Sequence, residues 1–145
     1  MARIAYLTTI DFGPGVLSSL PAAIRELGIQ HPLLIADHGI AAAGLLDRAR
    51  ALLPADTQVF LETPPNPTEA AVIAALSVYR EHQCDGVVAI GGGSPIDLAK
   101  GVALLASHPG ALEQYAVIYG GLARITPAVA PLIAIPTTAG TGAEV

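Results

Sequence analysis

Three consecutive glycines followed by Ser94, Pro95 and Asp97 form the chemically most suggestive stretch of this 145-residue chain. They follow an apolar run, Gly86 to Ile90, that reads as a buried strand, and they precede a helical pattern with Leu98, Val102 and Leu105 on one face. Glycines at the carboxyl end of a strand adopt dihedrals closed to other residues and let a ligand approach the backbone. Successive N–H groups and a helix N-terminus there attract an anion, so the pattern describes a phosphate cradle. The competing reading is a self-sufficient helix start, with Ser94 as N-cap, Pro95 at the first helical position and Asp97 reaching back. Three glycines exceed what a cap needs.

Asp97 would repel a phosphate seated directly on it, so it is expected to face a neutral or cationic part of a ligand. Lys100, the only lysine of the chain, lies one turn later on the same face and either neutralises Asp97 in a solvated pair or reaches the ligand. Asp37 ends the strand-like run His31 to Ala36, 22 residues after Gly15 of the loop Phe12-Gly-Pro-Gly15. An acidic residue at about that distance from a first glycine loop accepts a ribose 2′-hydroxyl in dinucleotide folds. The third glycine of that fingerprint is missing, and a turn-forming Asp is the alternative. The stretch Ile135-Pro-Thr-Thr-Ala-Gly-Thr-Gly places three hydroxyls after a last buried run, where they either bind sugar or phosphate oxygens or form a plain capping loop.

These residues need a scaffold, and two periodicities alternate to supply it. Leu17, Leu20, Ile24 and Leu27 mark a helix stopped at Gly28. The run at 31–36 is a strand leading into Asp37 and a turn at Gly39. Leu45, Ala49 and Leu52 mark a second helix, and Thr57 to Leu61 a strand ended by Pro64, Pro65, Asn66 and Pro67. Thr68 caps a third helix with Val72, Leu76 and Tyr79 inward. After the glycine-loop helix comes a loop around Tyr119-Gly-Gly and a final strand, Pro131 to Ile135. Strand and helix alternate about five times, and uninterrupted apolar strands imply a parallel sheet covered on both faces. The expected fold is therefore α/β, a doubly wound, Rossmann-like parallel sheet forming one domain over 1–145.

Composition narrows the function classes. A net charge of −5, with 7 basic and 12 acidic residues and no basic stripe, argues against nucleic acid and anionic membrane as partners. Mean hydropathy is +0.58, yet the longest uncharged stretch, 125–143, carries Pro127, Pro131 and Pro136, which break the roughly 20 apolar residues of a spanning helix. The short apolar start is no secretory signal. The lone Cys84 excludes an internal disulfide and reads as a small core side chain, and a cytoplasmic location fits. His31, His38, His82 and His108 show no paired metal-ligand spacing and are expected at the surface or in loops. At the end of the chain Thr141-Gly-Ala-Glu144 is a capping box, so a helix is expected beyond Val145 and the chain is expected to be part of a longer protein.

The two long motifs, Gly91-Gly-Gly-Ser-Pro-Ile-Asp-Leu-Ala-Lys100 and Ile135-Pro-Thr-Thr-Ala-Gly-Thr-Gly-Ala-Glu-Val145, with Asp37 and Pro65-Asn-Pro-Thr68 before them, resemble the iron-containing, or group III, alcohol dehydrogenases. The resemblance spans essentially the whole chain. It implies an NAD-binding domain in which Gly92, Gly93 and Ser94 hold the pyrophosphate and Asp37 the adenosine ribose. Asn66 would lie against the cofactor nearby, Thr137, Thr138 and Thr141 on its adenosine side, and Asp97 near the nicotinamide. It further implies an alcohol, aldehyde or ketone substrate, a homodimer to which the strand at Arg3–Leu7 contributes, and a helical domain beyond residue 145 that binds Fe²⁺ or Zn²⁺ through one Asp and three His. No catalytic or metal-binding residue is then expected in this chain. Ala143 stands where many members carry Ser, which leaves open a maleylacetate reductase, glycerol dehydrogenase or dehydroquinate synthase of the same superfamily. A non-catalytic nucleotide-binding module is the alternative from another class.

Overall fold

The computed structural model describes the strand at 2–5 and residues 8–143. Its centre is a four-stranded, wholly parallel sheet in the order β4-β3-β5-β6, formed by β3 (Pro32–Ile35), β4 (Gln58–Phe60), β5 (Gly86–Gly91) and β6 (Leu132–Pro136). All residues of β3 and β5 are buried, which is why those runs show no polar alternation. Successive side chains point to opposite faces. Leu33, Ile35, Val87 and Ala89 pack under α4 (Glu69–Glu81) and α5 (Gly93–Ser107), while Leu34, Ala36, Val88 and Ile90 pack under α1 (Leu20–Glu26), α2 (His38–Ala42) and α3 (Leu45–Arg50). The sheet is thus doubly wound, as its sequence pattern requires.

Three features depart from the sequence reading. First, Phe12-Gly-Pro-Gly15 does not follow a strand of the parallel sheet. It leaves β2 (Thr9–Phe12), which pairs antiparallel with β1 (Ala2–Ala5) in a separate hairpin, so the spacing from Gly15 to Asp37 is not that of a dinucleotide fingerprint. The strand expected at Arg3–Leu7 finds its partner in β2; Tyr6 and Leu7 lie outside the described residues. Second, Gly39 lies inside α2 rather than in a turn. Asp37 caps this short helix, and Gly44, at φ 72°, separates it from α3.

Third, His108, expected at the surface or in a loop, stands in the bend after α5 and is buried there. Its Nδ1 faces the Leu104 carbonyl at 3.0 Å, and its Nε2 accepts the Thr126 N–H at 2.9 Å. Backbone carbonyl on one side and backbone N–H on the other are satisfied together by the Nδ1–H tautomer. His108 thereby ties the 3-10 turns at 112–124 to the core. The expectations for α4 hold: Thr68 caps it by accepting the Ala71 N–H, and Val72, Leu76 and Tyr79 are buried. Cys84 is buried too.

Candidate functional site

The register of the sheet brings the chemically suggestive segments to one rim. Ile35 pairs with Phe60 on one side and with Ala89 on the other, and Gly91 pairs with Pro136. Asp37, the glycine loop, the segment containing Asn66 and the loop from Thr137 to Thr141 therefore all follow the carboxyl ends of neighbouring strands. From β3 the chain steps outward to β4, then crosses to β5 on the other side of β3. This reversal is the switch point of a doubly wound sheet, where ligands bind in the crevice beyond the strand ends.

The glycine loop is shaped for close backbone approach. Gly91 has φ 154°, and a Cβ there would lie 2.6 Å from Pro95 Cγ. Gly92 is the N-cap of α5 in an extended conformation and provides no side-chain cap, and the first turn contains no acidic residue. Ser94 and Pro95 lie within that first turn, so Ser94 is not the cap the sequence suggested. Pro95 is the third residue of the helix, a position whose missing N–H costs nothing, because the first N–H groups of a helix have no carbonyl to bond. The Ser94 hydroxyl instead accepts the Asn66 N–H at 3.3 Å, which draws the proline-rich segment after β4 onto the loop. The N–H groups at the start of α5 are thus uncapped by any side chain and backed by the helix dipole. They fit the oxygens of a pyrophosphate.

The threonine loop lies over the same glycines. The Thr137 N–H donates to the Gly91 carbonyl at 2.8 Å, continuing the ladder of β6 beyond its last residue. A Cβ on Gly92 would stand 3.3 Å from Thr138 Oγ1, and one on Gly93 would stand 3.6 Å from Thr141 Cβ and 3.9 Å from Asp97 Oδ2. Glycine at 92 and 93 therefore keeps clear a narrow space bordered by Thr138, Thr141 and Asp97. Asp97 is exposed and meets Lys100 Nζ at 3.7 Å, one turn along α5. Thr141 Oγ1 accepts the Ala143 N–H at 3.3 Å in a local turn, and Glu144, which the anticipated capping box needs, lies outside the described residues.

Of the two roles that the sequence left as alternatives, the local one is visible at Asp37. Its Oδ1 accepts the Ile40 N–H at 2.8 Å, capping α2, and this fixes the carboxylate at the end of β3 while leaving Oδ2 free of that bond. Two neighbours were not anticipated. Glu62 forms an isolated antiparallel bridge with Asp37, and His38 Nε2 lies 3.1 Å from Glu62 Oε1. The buried Thr63 hydroxyl donates to the Ala36 carbonyl at 2.7 Å and holds this strand end in place. No spacing signal marks these residues, since they meet only through the sheet.

The surface hollows lined by Glu69, Leu104, Leu112, Glu113, Tyr115 and Ala116, and by Ala111, Gln114, Tyr119 and Arg124, include none of the candidate residues. Among the described residues no three His, Cys, Asp or Glu are grouped so as to hold a metal ion, and no helix is long and apolar enough to cross a membrane.

A doubly wound parallel sheet with an uncapped glycine loop at its switch point defines a class of α/β ligand-binding domain. Within that class the chain belongs to the iron-containing alcohol dehydrogenase family, whose profile it matches over residues 8–145. It is 56% identical over its whole length to a 4-hydroxybutyrate dehydrogenase of Cupriavidus necator, and 37% identical over 92% of its length to a 1,3-propanediol dehydrogenase of Klebsiella pneumoniae. It spans 38% and 35% of the lengths of those two relatives. The fold superposes on a crystal structure of a 1,3-propanediol oxidoreductase with a TM-score of 0.82 at 35% identity, covering 92% of this chain and 35% of that one. A sulfoacetaldehyde reductase of Bifidobacterium kashiwanohense in complex with NAD⁺ gives 0.80 at 29% identity, with the same coverage.

Proposed function

We propose that this chain is the NAD-binding part of an oxidoreductase that passes hydride between an alcohol and the corresponding carbonyl compound. The observation that carries the reading is the uncapped start of α5 at the switch point, with the threonine loop bordering the same glycines. In this reading the N–H groups of Gly93 and Ser94 hold the pyrophosphate, and Gly92 admits it close to the backbone. Asp37 accepts from the adenosine ribose through Oδ2, Asn66 is held against the cofactor by Ser94, and Thr137, Thr138 and Thr141 line the adenosine side. Asp97, a carboxylate unsuited to the pyrophosphate, faces the nicotinamide.

When bound, nicotinamide supplies the hydride acceptor or donor. What this chain contributes is orientation, by fixing the phosphates on rigid backbone donors rather than on mobile side chains. The family is described as iron-containing, and the chain spans 38% of the length of the 4-hydroxybutyrate dehydrogenase it matches, so this reading assigns the Fe²⁺ or Zn²⁺ site to the remainder of the full-length protein. Identity to a 4-hydroxybutyrate dehydrogenase makes a short ω-hydroxy acid the first substrate to try. The same reading takes the whole protein as a cytoplasmic homodimer.

Calorimetric titration of the full-length protein with NAD⁺ tests the assignment. Saturable binding at one site per chain, weakened at least tenfold by Gly93→Ala, is the expected result. Absence of binding by both NAD⁺ and NADP⁺ at millimolar concentration rejects it.

A further inference from the structure

Residues directly opposite in an antiparallel pair carry their side chains on the same side, with Cβ atoms about 5 Å apart. Asp37 and Glu62 are such a pair. Two carboxylates so placed oppose each other unless each finds a partner, and here each does: Asp37 in the Ile40 N–H, Glu62 in the imidazole of His38. The side chains of His38 and Glu62 are 70% and 75% exposed, and ion pairs at that exposure contribute little to stability. Their consequence is therefore the charge they place on the rim, not the fold they support.

We propose that Glu62, holding His38, is a specificity-determining residue that bars a 2′-phosphate from the adenosine end of the cofactor site. The proposal rests on the reading above that Asp37 meets the adenosine ribose. A ribose 2′-hydroxyl is neutral and donates to Asp37. A 2′-phosphate carries nearly two negative charges and would meet two carboxylates instead of one. The His38 imidazole beside this pair is already engaged by Glu62. For a phosphate and a carboxylate about 8 Å apart in solvent, removing the carboxylate charge strengthens binding on the order of fivefold.

The test is calorimetry on the full-length protein at pH 8 with NAD⁺ and NADP⁺ as probes, using wild type, Glu62→Gln, Glu62→Lys and His38→Ala. Glu62→Gln is expected to raise the ratio of NADP⁺ to NAD⁺ affinity about fivefold, and Glu62→Lys to raise it further. His38→Ala, which leaves the carboxylate bare, is expected to leave the ratio level or lower it. An unchanged ratio in both Glu62 variants, or a rise in His38→Ala, overturns the proposal while NAD⁺ binding by the wild type still upholds the cofactor reading. Failure of the wild type to bind either nucleotide removes that reading and this proposal together.

Discussion

Gly91 and Gly93 stand two residues apart in one loop, yet an added methyl group does different things at each. At Gly91 the φ of 154° is closed to L-residues, and the new Cβ would press on the Pro95 ring, which the first turn of α5 holds rigid. Gly91→Ala is expected to cost about 2–4 kcal/mol in thermal or urea unfolding, from backbone strain and overpacking together. At Gly93 the nearest atoms lie at 3.6–3.9 Å, an ordinary contact, and the residue is helical, where Ala outperforms Gly by about 1 kcal/mol. Gly93→Ala should keep or raise the unfolding midpoint while weakening NAD⁺ at least tenfold, because the methyl group fills the approach to the backbone. Loss of stability without loss of binding at Gly93 would place the cofactor elsewhere. The glycine run itself was legible in the sequence because its excess over a helix cap has few other uses. That Gly92 rather than Ser94 caps the helix was not legible, since both sequences of events begin with the same residues and only the pull of the Asn66 N–H on Ser94 Oγ distinguishes them.

Helices α4 and α5 were readable as elements because each carries an apolar stripe at helical spacing, and Thr68 announces the start of α4. Their closeness was not, since it shows only where Gly101 of α5 meets Val72 of α4. A Cβ on Gly101 would come within 2.9 and 3.0 Å of the two γ carbons of Val72, and a β-branched side chain has little rotamer freedom to retreat. Gly101→Ala should therefore be destabilising by about 1–3 kcal/mol despite its gain in helix propensity. Combined with Val72→Ala it should cost less than the two single changes summed, and a double-mutant cycle by urea denaturation measures that coupling. Simple additivity would show that the helices move apart freely. The β1–β2 hairpin and the break between α2 and α3 escaped the sequence for a related reason. Four-residue strands and a five-residue helix are too short to show a period, and their limits are set by the partners they meet: Arg3 opposite Asp11 in the hairpin, and the Asp37 cap before α2. His108 escaped because a histidine with both ring nitrogens bonded to backbone resembles, in sequence, any other histidine after a helix.

At the scale of the whole molecule, low charge and high hydropathy are explained by a sheet whose central strands are buried on both faces, with the candidate polar residues at one rim. The same dryness extends to ionisable groups beneath it. Cys84 and Tyr79, each 8% exposed, meet where the Cys84 N–H bonds the Tyr79 carbonyl at 2.8 Å at the end of α4. Burial pushes the Cys84 thiol from the ordinary 9.0 to about 11, aided by the negative charge of Asp85. Burial likewise pushes the Tyr79 hydroxyl from 10.0 to about 12, with Cys84 and Asp85 adding to it. Both groups are neutral when protonated, and both hold their protons more tightly folded than unfolded. Their contribution to stability is therefore complete below pH 9 and is lost as pH rises through 11 for the thiol and 12 for the phenol. Thermal melts should accordingly stay level from pH 7 to 9 and fall steeply above it. Cys84→Ala, which removes the first of the two titrations, should delay the onset to about pH 10, where the unfolded Tyr79 begins to ionise. An onset that stays at pH 9 in this variant would mean that the thiol is not held in the dry interior between α4 and β5, and that the core under this half of the sheet is open to water.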